Sequence, residues 1–165
     1  MMRRIVLPFG LILSLSLPLG SAPDIPRPEY PQPQFQREAW LNLNGPWEFE
    51  FDDGNVGVDQ GWASGGHRFT RTITVPFAFE SRLSGIGDTS FHPWVWYRRS
   101  FSVPAGWKGR RVLLNFGAVD YRAMVWVNGR PAGSHEGGNV PFAFDVTVSA
   151  SAPTAGRATK SVTLK

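Results

Sequence analysis

The sequence predicts an all-β fold, a sandwich or a barrel. Short stretches alternate apolar and polar residues with a period of two, and no window carries the long apolar stripe of an amphipathic helix. The chain also has 18 glycines and 14 prolines, which separate these stretches. Many short strands with turn residues between them are typical of sandwiches and barrels. With 165 residues, of which 42% are hydrophobic, the chain has enough apolar content for one domain with a core.

The first 22 residues have the composition of a secretory signal peptide. Arg3 and Arg4 precede an apolar run over residues 5–19, and small residues follow it as far as Ala22. The run is shorter than the roughly 20 apolar residues that span a bilayer, which argues against an uncleaved membrane anchor. We therefore expect residues 1–22 to be a signal peptide. The protein is then secreted or periplasmic, with no membrane partner after cleavage.

Residues 23–36 form a proline-rich leader, with prolines at positions 23, 26, 28, 31 and 33. Proline fixes φ and removes an amide donor, so this segment is predicted to be extended and to lie over a surface.

Charge and cysteine content exclude several classes of function. The formal net charge is +4, and without residues 1–22 it falls to +2, because 15 basic and 13 acidic residues remain. The basic residues are scattered, which argues against a nucleic-acid partner. The chain has no cysteine, so disulfides and thiolate chemistry are excluded.

The predicted sandwich covers residues 37–148, and its first strand is the most regular. In PWEFEFD, Trp47, Phe49 and Phe51 alternate with acidic residues, which predicts a strand with one face in solvent. Four further stretches have strand-like composition: RFTRTITV (68–75), WYRRSFSV (96–103), RRVLLNFG (110–117) and FAFDVTV (142–148).

A hairpin is predicted after the stretch YRAMVWV. Ala123, Val125 and Val127 share one face of this stretch, and Asn128–Gly129 follows directly. Both turn residues tolerate positive φ, which a two-residue hairpin turn requires.

Residues 149–165 are an uncertain tail, because they are small, polar and weakly patterned. A sandwich needs a closing strand here, and only Ser161–Leu164 could supply one. We therefore expect a sandwich that is incomplete at its C-terminus, with one unpaired edge if the tail does not fold.

Four segments of the chain carry motifs in a recognisable order: LNLNGPWEFEFD (41–52), VPFAFESRLSGIGD (75–88), WYRRSFSVPAGWKGRRVLLNFGAVDYRAMVWVNG (96–129) and GSHEGGNVPFAFDV (133–146). Together they resemble the N-terminal sugar-binding domain of glycoside hydrolase family 2, which includes β-galactosidases, β-glucuronidases and β-mannosidases. The spacing H-E-G-G-x-x-P-F favours the β-glucuronidase-like branch. The resemblance implies a jelly-roll β-sandwich, galactose-binding-domain-like, that precedes an immunoglobulin-like domain and a TIM barrel in the intact enzyme.

The resemblance also implies that this chain holds no catalytic residue. In the family the acid/base and the nucleophile are glutamates of the barrel, and retaining hydrolysis needs two carboxyl groups about 5–5.5 Å apart. We expect a non-catalytic fragment of a secreted family 2 glycoside hydrolase, without a cofactor. Its partners would be a β-glycoside and the missing immunoglobulin-like and barrel domains.

The glycine-rich loop before FAFD supplies most of the candidate substrate contacts. The resemblance implies that Asp145 contacts a sugar hydroxyl, and Glu136, His135 and Asn139 belong to the same segment. The alternative is an interdomain joint, in which Glu136 pairs with a barrel arginine and Asp145 caps a turn. A metal at His135 is disfavoured, because zinc needs three or four converging ligands and no such spacing exists; a surface or packed histidine is the simpler interpretation.

An aromatic candidate lies outside this loop. Trp94 could stack on a sugar, although seven tryptophans in one domain must mostly fill the core. Asp88 and His92 are the polar candidates of the long loop nearby. Arg122 either holds a carboxylate across an interface or forms an ordinary cross-strand ion pair.

Two other functions compete with the hydrolase-domain hypothesis. A free-standing carbohydrate-binding module would need a complete sandwich and an exposed aromatic platform. A purely structural interaction domain would bind no sugar and would bury its loop residues against another protein.

Overall fold

The computed structural model describes residues 25–30, 34 and 36–147, and the backbone of residues 159–164. The predicted signal peptide and much of the leader lie outside these residues. Within them the chain forms eight strands: β1 (Gly45–Phe51), β2 (Arg71–Val75), β3 (Val95–Ser102), β4 (Leu113–Phe116), β5 (Arg122–Val127), β6 (Arg130–Glu136), β7 (Phe142–Asp145) and β8 (Thr159–Leu164). The described helices are three single 3-10 turns, Trp62–Ser64, Arg82–Ser84 and Ala105–Trp107. In the described part of the chain, no helix has the length and apolar character needed to cross a membrane.

The strands form two antiparallel sheets that pack face to face. One sheet has six strands in the order β2-β1-β3-β8-β5-β6, and the other pairs β4 with β7. The predicted all-β jelly-roll sandwich is therefore confirmed.

The main core lies between these two sheets. It contains seven buried side chains: Trp47, Phe49, Ile73, Leu114, Val125, Val127 and Val146. Four of them, Trp47, Phe49, Val125 and Val127, occupy positions that the alternating pattern placed on one face of β1 and of β5. Each fully buried large apolar side chain contributes about 1.5–3 kcal/mol, so this interface dominates the stability of the sandwich.

The β5–β6 hairpin has the predicted turn. Asn128 and Gly129 have φ values of 52° and 75°, and Val127 pairs with Arg130 across the turn. Positive φ at both central residues is the type I′ geometry, whose twist matches that of the two strands.

The predicted solvent face of β1 is wrong at two positions. Glu50 is 8% exposed and Asp52 is 3% exposed. The loop after β1 folds back over this face and packs Trp62 and Phe69 against the fully buried Trp96. The alternating pattern predicted the strand correctly, but it could not predict that a loop would cover the polar face of the strand.

Hydrogen bonds compensate the buried carboxylates. Asp52 accepts hydrogen bonds from the amides of Val56 (2.8 Å) and Gly57 (3.0 Å) and from Trp96 Nε1 (2.9 Å). Glu50 accepts from the amide of Thr70 (2.9 Å) and pairs with the Arg71 guanidinium. A buried charge is tolerated only when it is paired in this way.

The strand at residues 159–164 lies in the middle of the large sheet. β8 pairs with β3 from Tyr97↔Leu164 to Ser102↔Thr159, and with β5 from Val125↔Leu164 to Val127↔Val162. The predicted closing strand, Ser161–Leu164, therefore falls within β8. The tail therefore contributes a central strand to the large sheet, and the sandwich includes residues beyond its predicted end at residue 148. Its backbone partners on both sides, rather than an alternating sequence, define this strand.

The described part of the leader contacts the domain. The side-chain amides of Asn42 and Asn44 donate to the carbonyl groups of Arg27 and Pro26, each at 3.1 Å. Further along, the rings of Tyr30 and Trp40 meet edge to face at 4.9 Å.

Candidate functional site

Four strands place their loops at one end of the six-stranded sheet. β1 ends there at Phe51 and β6 at Glu136, while β3 begins there at Val95 and β5 at Arg122. This follows from the register, because β3 and β5 each run antiparallel to β8 and are therefore parallel to one another. We call this region the loop end. Most candidate residues lie on it.

The glycine-rich loop between β6 and β7 packs on the loop between β4 and β5. The Gly137 amide donates to the Tyr121 carbonyl at 2.8 Å. Gly138 lies so close to Asp120 that a Cβ atom there would be 2.4 Å from a carboxylate oxygen. A side chain at position 138 would therefore require the Asp120 side chain to move.

His135 is a packed histidine. Its ring stacks on Phe142 with centroids 4.2 Å apart and an angle of 17° between the planes, and Phe142 stacks in turn on Phe116 at 4.8 Å. In the described residues, no group of three or more histidine or acidic side chains could hold a metal ion.

Glu136 forms a cross-strand ion pair. Its Oε1 lies 3.4 Å from Arg122 Nε, and the two residues are direct partners in the β5–β6 register. This is the ordinary role that the sequence suggested for Arg122. Both side chains are more than half exposed, so the pair is weak and the carboxylate remains accessible to a ligand.

Asp145 has a different environment. It accepts from Arg111 Nε at 2.7 Å, from the Thr147 hydroxyl at 2.6 Å and from the Thr147 amide at 3.0 Å. The bonds from Thr147, followed by the one from Arg111, lower the pKa of the Asp145 carboxyl to about 2. The turn cap proposed as the alternative role is therefore present, and Asp145 is anionic at every physiological pH.

The structure brings some predicted contacts together and separates others. Asn139 is exposed in the same loop as His135 and Glu136. Trp94 directly precedes β3 at the loop end, but three strand spacings, about 14 Å, separate β3 from β6. Asp145 lies three residues beyond Phe142 along β7, about 10 Å from the glycine-rich loop. His135, Glu136, Asn139 and Trp94 therefore lie at the loop end, whereas Asp145 lies at the opposite end of β7.

Three of the seven tryptophans, Trp47, Trp62 and Trp96, are buried, and the other four are partly buried. All seven lie among the described residues, and none is exposed. Trp94 is half-buried, and its carbonyl group accepts a hydrogen bond from the Asp52 amide at 2.9 Å.

Sequence reasoning missed one residue of a charged cluster at the loop end. His92 Nδ1 lies 2.9 Å and 3.1 Å from the carboxylate oxygens of Asp53, and its Nε2 lies 3.5 Å from Asp88 Oδ2. Hydrogen bonding to Asp53 is the main cause that raises the pKa of His92. Asp88 and His92 were candidates, but Asp53 was not. The two residues are 39 positions apart in the sequence, so no local pattern indicates the contact.

Comparison with known proteins identifies the class to which this fold and loop arrangement belong. Residues 40–163 match the family described as glycosyl hydrolases family 2, sugar binding domain. The chain belongs to this family, and the resemblance found in the sequence is confirmed. The match includes β8, in agreement with the central place of that strand in the sheet.

Individual relatives are mostly β-glucuronidases. The chain is 37% identical over 127 residues to the β-glucuronidase of Canis lupus familiaris, covering 72% of this chain and 19% of that protein. It is 33% identical over 118 residues to the β-glucuronidase of Paenibacillus borealis, covering 72% and 20%. A β-galactosidase of Thermoanaerobacter pseudethanolicus is 32% identical over 113 residues, covering 66% and 13%.

Solved structures agree with this assignment. The Lactobacillus rhamnosus β-glucuronidase superposes with a TM-score of 0.62 at 33% identity, covering 74% of this chain and 20% of that chain. A Ruminococcus gnavus β-glucuronidase in complex with an N1-substituted uronic isofagomine gives 0.61 at 29% identity, covering 74% and 21%. The chain therefore spans about a fifth of the length of these relatives.

Proposed function

We propose that this domain is a non-catalytic part of a β-glucuronidase-like glycoside hydrolase, in which its loop end forms one side of the site for a β-glycoside. One observation carries the proposal: 33–37% identity to β-glucuronidases over 72% of the chain, combined with the placement of the candidate loops at one end. In this role the accessible carboxylate of Glu136 accepts hydrogen bonds from sugar hydroxyl groups.

The hydrolytic step belongs, in this proposal, to a partner domain. Asp145 lies about 10 Å along β7 from the glycine-rich loop that follows Glu136, whereas retaining hydrolysis needs two carboxyl groups about 5–5.5 Å apart. The purified 165-residue chain is therefore expected to release no nitrophenol from 4-nitrophenyl β-D-glucuronide. Sustained turnover by this chain would contradict the proposal.

Sugar contact is tested in an enzyme that carries this domain. The sugar-binding domain of a β-glucuronidase relative is replaced by residues 23–165, and Glu136→Gln is compared with Glu48→Gln in the chimera. Glu48 pairs with Arg98 in the middle of the sheet, away from the loop end, and is the matched control. A role in binding predicts an increase in KM of several-fold for Glu136→Gln alone. Equal kinetics of the two variants would exclude a sugar contact by Glu136.

The proposal also implies that the natural protein is a longer, exported enzyme. Intact mass spectrometry of the protein in its source tests both parts. We expect a product several times heavier than 18.3 kDa that begins after residue 22. A product of 18.3 kDa or slightly less would leave sugar binding without hydrolysis as the function.

A free-standing carbohydrate-binding module is the second candidate, and one observation favours it. Tyr121 is 66% exposed at the loop end and could offer a ring face to a sugar. Glycan-array binding by the isolated chain that is lost in Tyr121→Ala would support this function over the first.

A further inference from the structure

The connection between β2 and β3 begins at the opposite end of the sheet, returns to the loop end and carries two exposed apolar side chains. Phe91 is 89% exposed and Leu83 is 68% exposed. The Trp94 carbonyl accepts a hydrogen bond from the Asp52 amide, but two amide hydrogen bonds of residues 88–93 lie within the connection itself. The Asp88 amide donates to Phe79 within the same connection at 3.2 Å, and the Ser90 amide donates to Asp88 at 2.8 Å.

His92 is the side chain that joins this segment to β1. Its ring stacks on Phe51, the last residue of β1, with centroids 3.6 Å apart, and meets Phe79 edge to face at 5.8 Å. Only 13% of the His92 side chain is exposed. The imidazole is therefore held between apolar rings, and its two nitrogens point toward two carboxylates.

The charges around the ring determine how it responds to pH. Asp53 follows β1 and Asp88 belongs to the same connection as His92, so both elements present a negative charge. From β2, Arg71 lies over the Phe51 ring at 4.9 Å, but its charge is paired with Glu50. An imidazolium between two carboxylates makes an ion pair on each side. A neutral imidazole loses both ion pairs and keeps at most the hydrogen bond to Asp53, because Nε2 is buried and has no hydrogen bond in the structure.

We propose that Asp53, His92 and Asp88 form a proton-dependent latch that fastens residues 88–93 to the end of β1 and releases them when His92 loses its proton. The latch lies two residues from Trp94, so its state sets the position of a candidate sugar contact as well as that of Phe91. The proposal does not depend on the proposed function, because all three groups belong to this chain.

The sign of the effect follows from linkage. The folded pKa of His92 is raised above the ordinary value of 6.5, chiefly by the hydrogen bond to Asp53. The stabilising contribution is therefore complete below pH 6.5 and is lost as the pH rises through the raised folded pKa. Each unit of that difference corresponds to about a tenfold change in the equilibrium between the latched and open states.

Two NMR measurements on the full chain test the latch. The first follows the His92 Cε1 proton from pH 5 to pH 9, where we expect a midpoint above 6.5. The second measures hydrogen-exchange protection factors of the Asp52 and Asp88 amides, which donate to the Trp94 and Phe79 carbonyls. These factors are expected to fall about tenfold for each unit by which the pKa is raised, over the same pH range in which His92 titrates.

Asp53→Asn is the decisive variant, because it removes a charge without disturbing the stacking of His92 on Phe51. It should lower the His92 midpoint and shrink the change in protection, whereas Asp59→Asn, at an exposed position in the neighbouring loop, should behave as the unmodified chain. A His92 midpoint at or below 6.5 would overturn the proposal. Protection factors that do not change with pH, or identical behaviour of the two variants, would overturn it as well.

Discussion

At the scale of single residues, one close contact outside the candidate site is that between Gly57 and Trp96. A Cβ atom at position 57 would lie 2.6 Å from the indole Nε1, and that indole is fully buried. Gly54, in the same loop, has room, since the nearest atom to its Cβ would be Val56 Cγ1 at 3.5 Å. Neither glycine has a positive φ, so the comparison isolates packing from backbone strain.

Gly57→Ala is therefore expected to lower the free energy of unfolding by about 1–3 kcal/mol, because the buried indole cannot move away. Gly54→Ala is expected to change it by less than about 0.5 kcal/mol. Urea unfolding followed by tryptophan fluorescence measures both. Equal changes in the free energy of unfolding of the two variants would mean that the loop does not pack against Trp96.

Asp145 gives a pH dependence at the same scale. Its folded pKa of about 2 lies below the ordinary value of 3.8. Its contribution to stability is therefore present above pH 3.8 and is lost as the pH falls toward 2. Asp145→Asn should lower Tm at pH 5, and this difference in Tm should shrink as the pH falls through about 2. If the difference in Tm between Asp145→Asn and the unmodified chain stays constant over this pH range, Asp145 does not stabilise the domain through its charge.

At the scale of elements, the β5–β6 hairpin depends on backbone conformation more than on packing. Asn128 has a φ of 52°, a value that costs a β-branched residue about 1–2 kcal/mol but costs glycine little. Asn128→Val is expected to destabilise the domain by this amount, and Asn128→Gly is expected to be close to neutral. Thermal unfolding of the two variants tests this expectation. An equal decrease in Tm in both variants would mean that the asparagine side chain, rather than the backbone conformation, stabilises the turn.

At the scale of the whole molecule, stability depends on a strand close to the end of the sequence. β8 separates β3 from β5, so without it the large sheet divides into β2-β1-β3 and the β5–β6 hairpin. A chain that ends at residue 158 is expected to lose its cooperative thermal transition, as measured by circular dichroism. A chain that ends at Leu164 should keep the transition. A cooperative transition in the shorter chain would mean that β3 and β5 can pair directly.

Much of this fold and part of its site could be predicted from the sequence. Side chains alternate across a strand, so Val125 and Val127 could be assigned to the core, and Asn128–Gly129 identified the turn from its tolerance of positive φ. The family could be recognised from motifs that are continuous in the chain. The cross-strand role of Arg122 was also accessible, because its partner Glu136 lies in the same hairpin.

Only the tertiary structure decided what depends on contacts between distant segments. Glu50 and Asp52 are buried because a loop closes over their face of β1, and β8 is central because of its backbone partners on either side. The position of His92 between Asp53 and Asp88 likewise depends on how a long connection returns to β1. Local sequence determines which face of a strand is apolar. What covers the other face, and which charges meet there, depends on the packing of the whole chain.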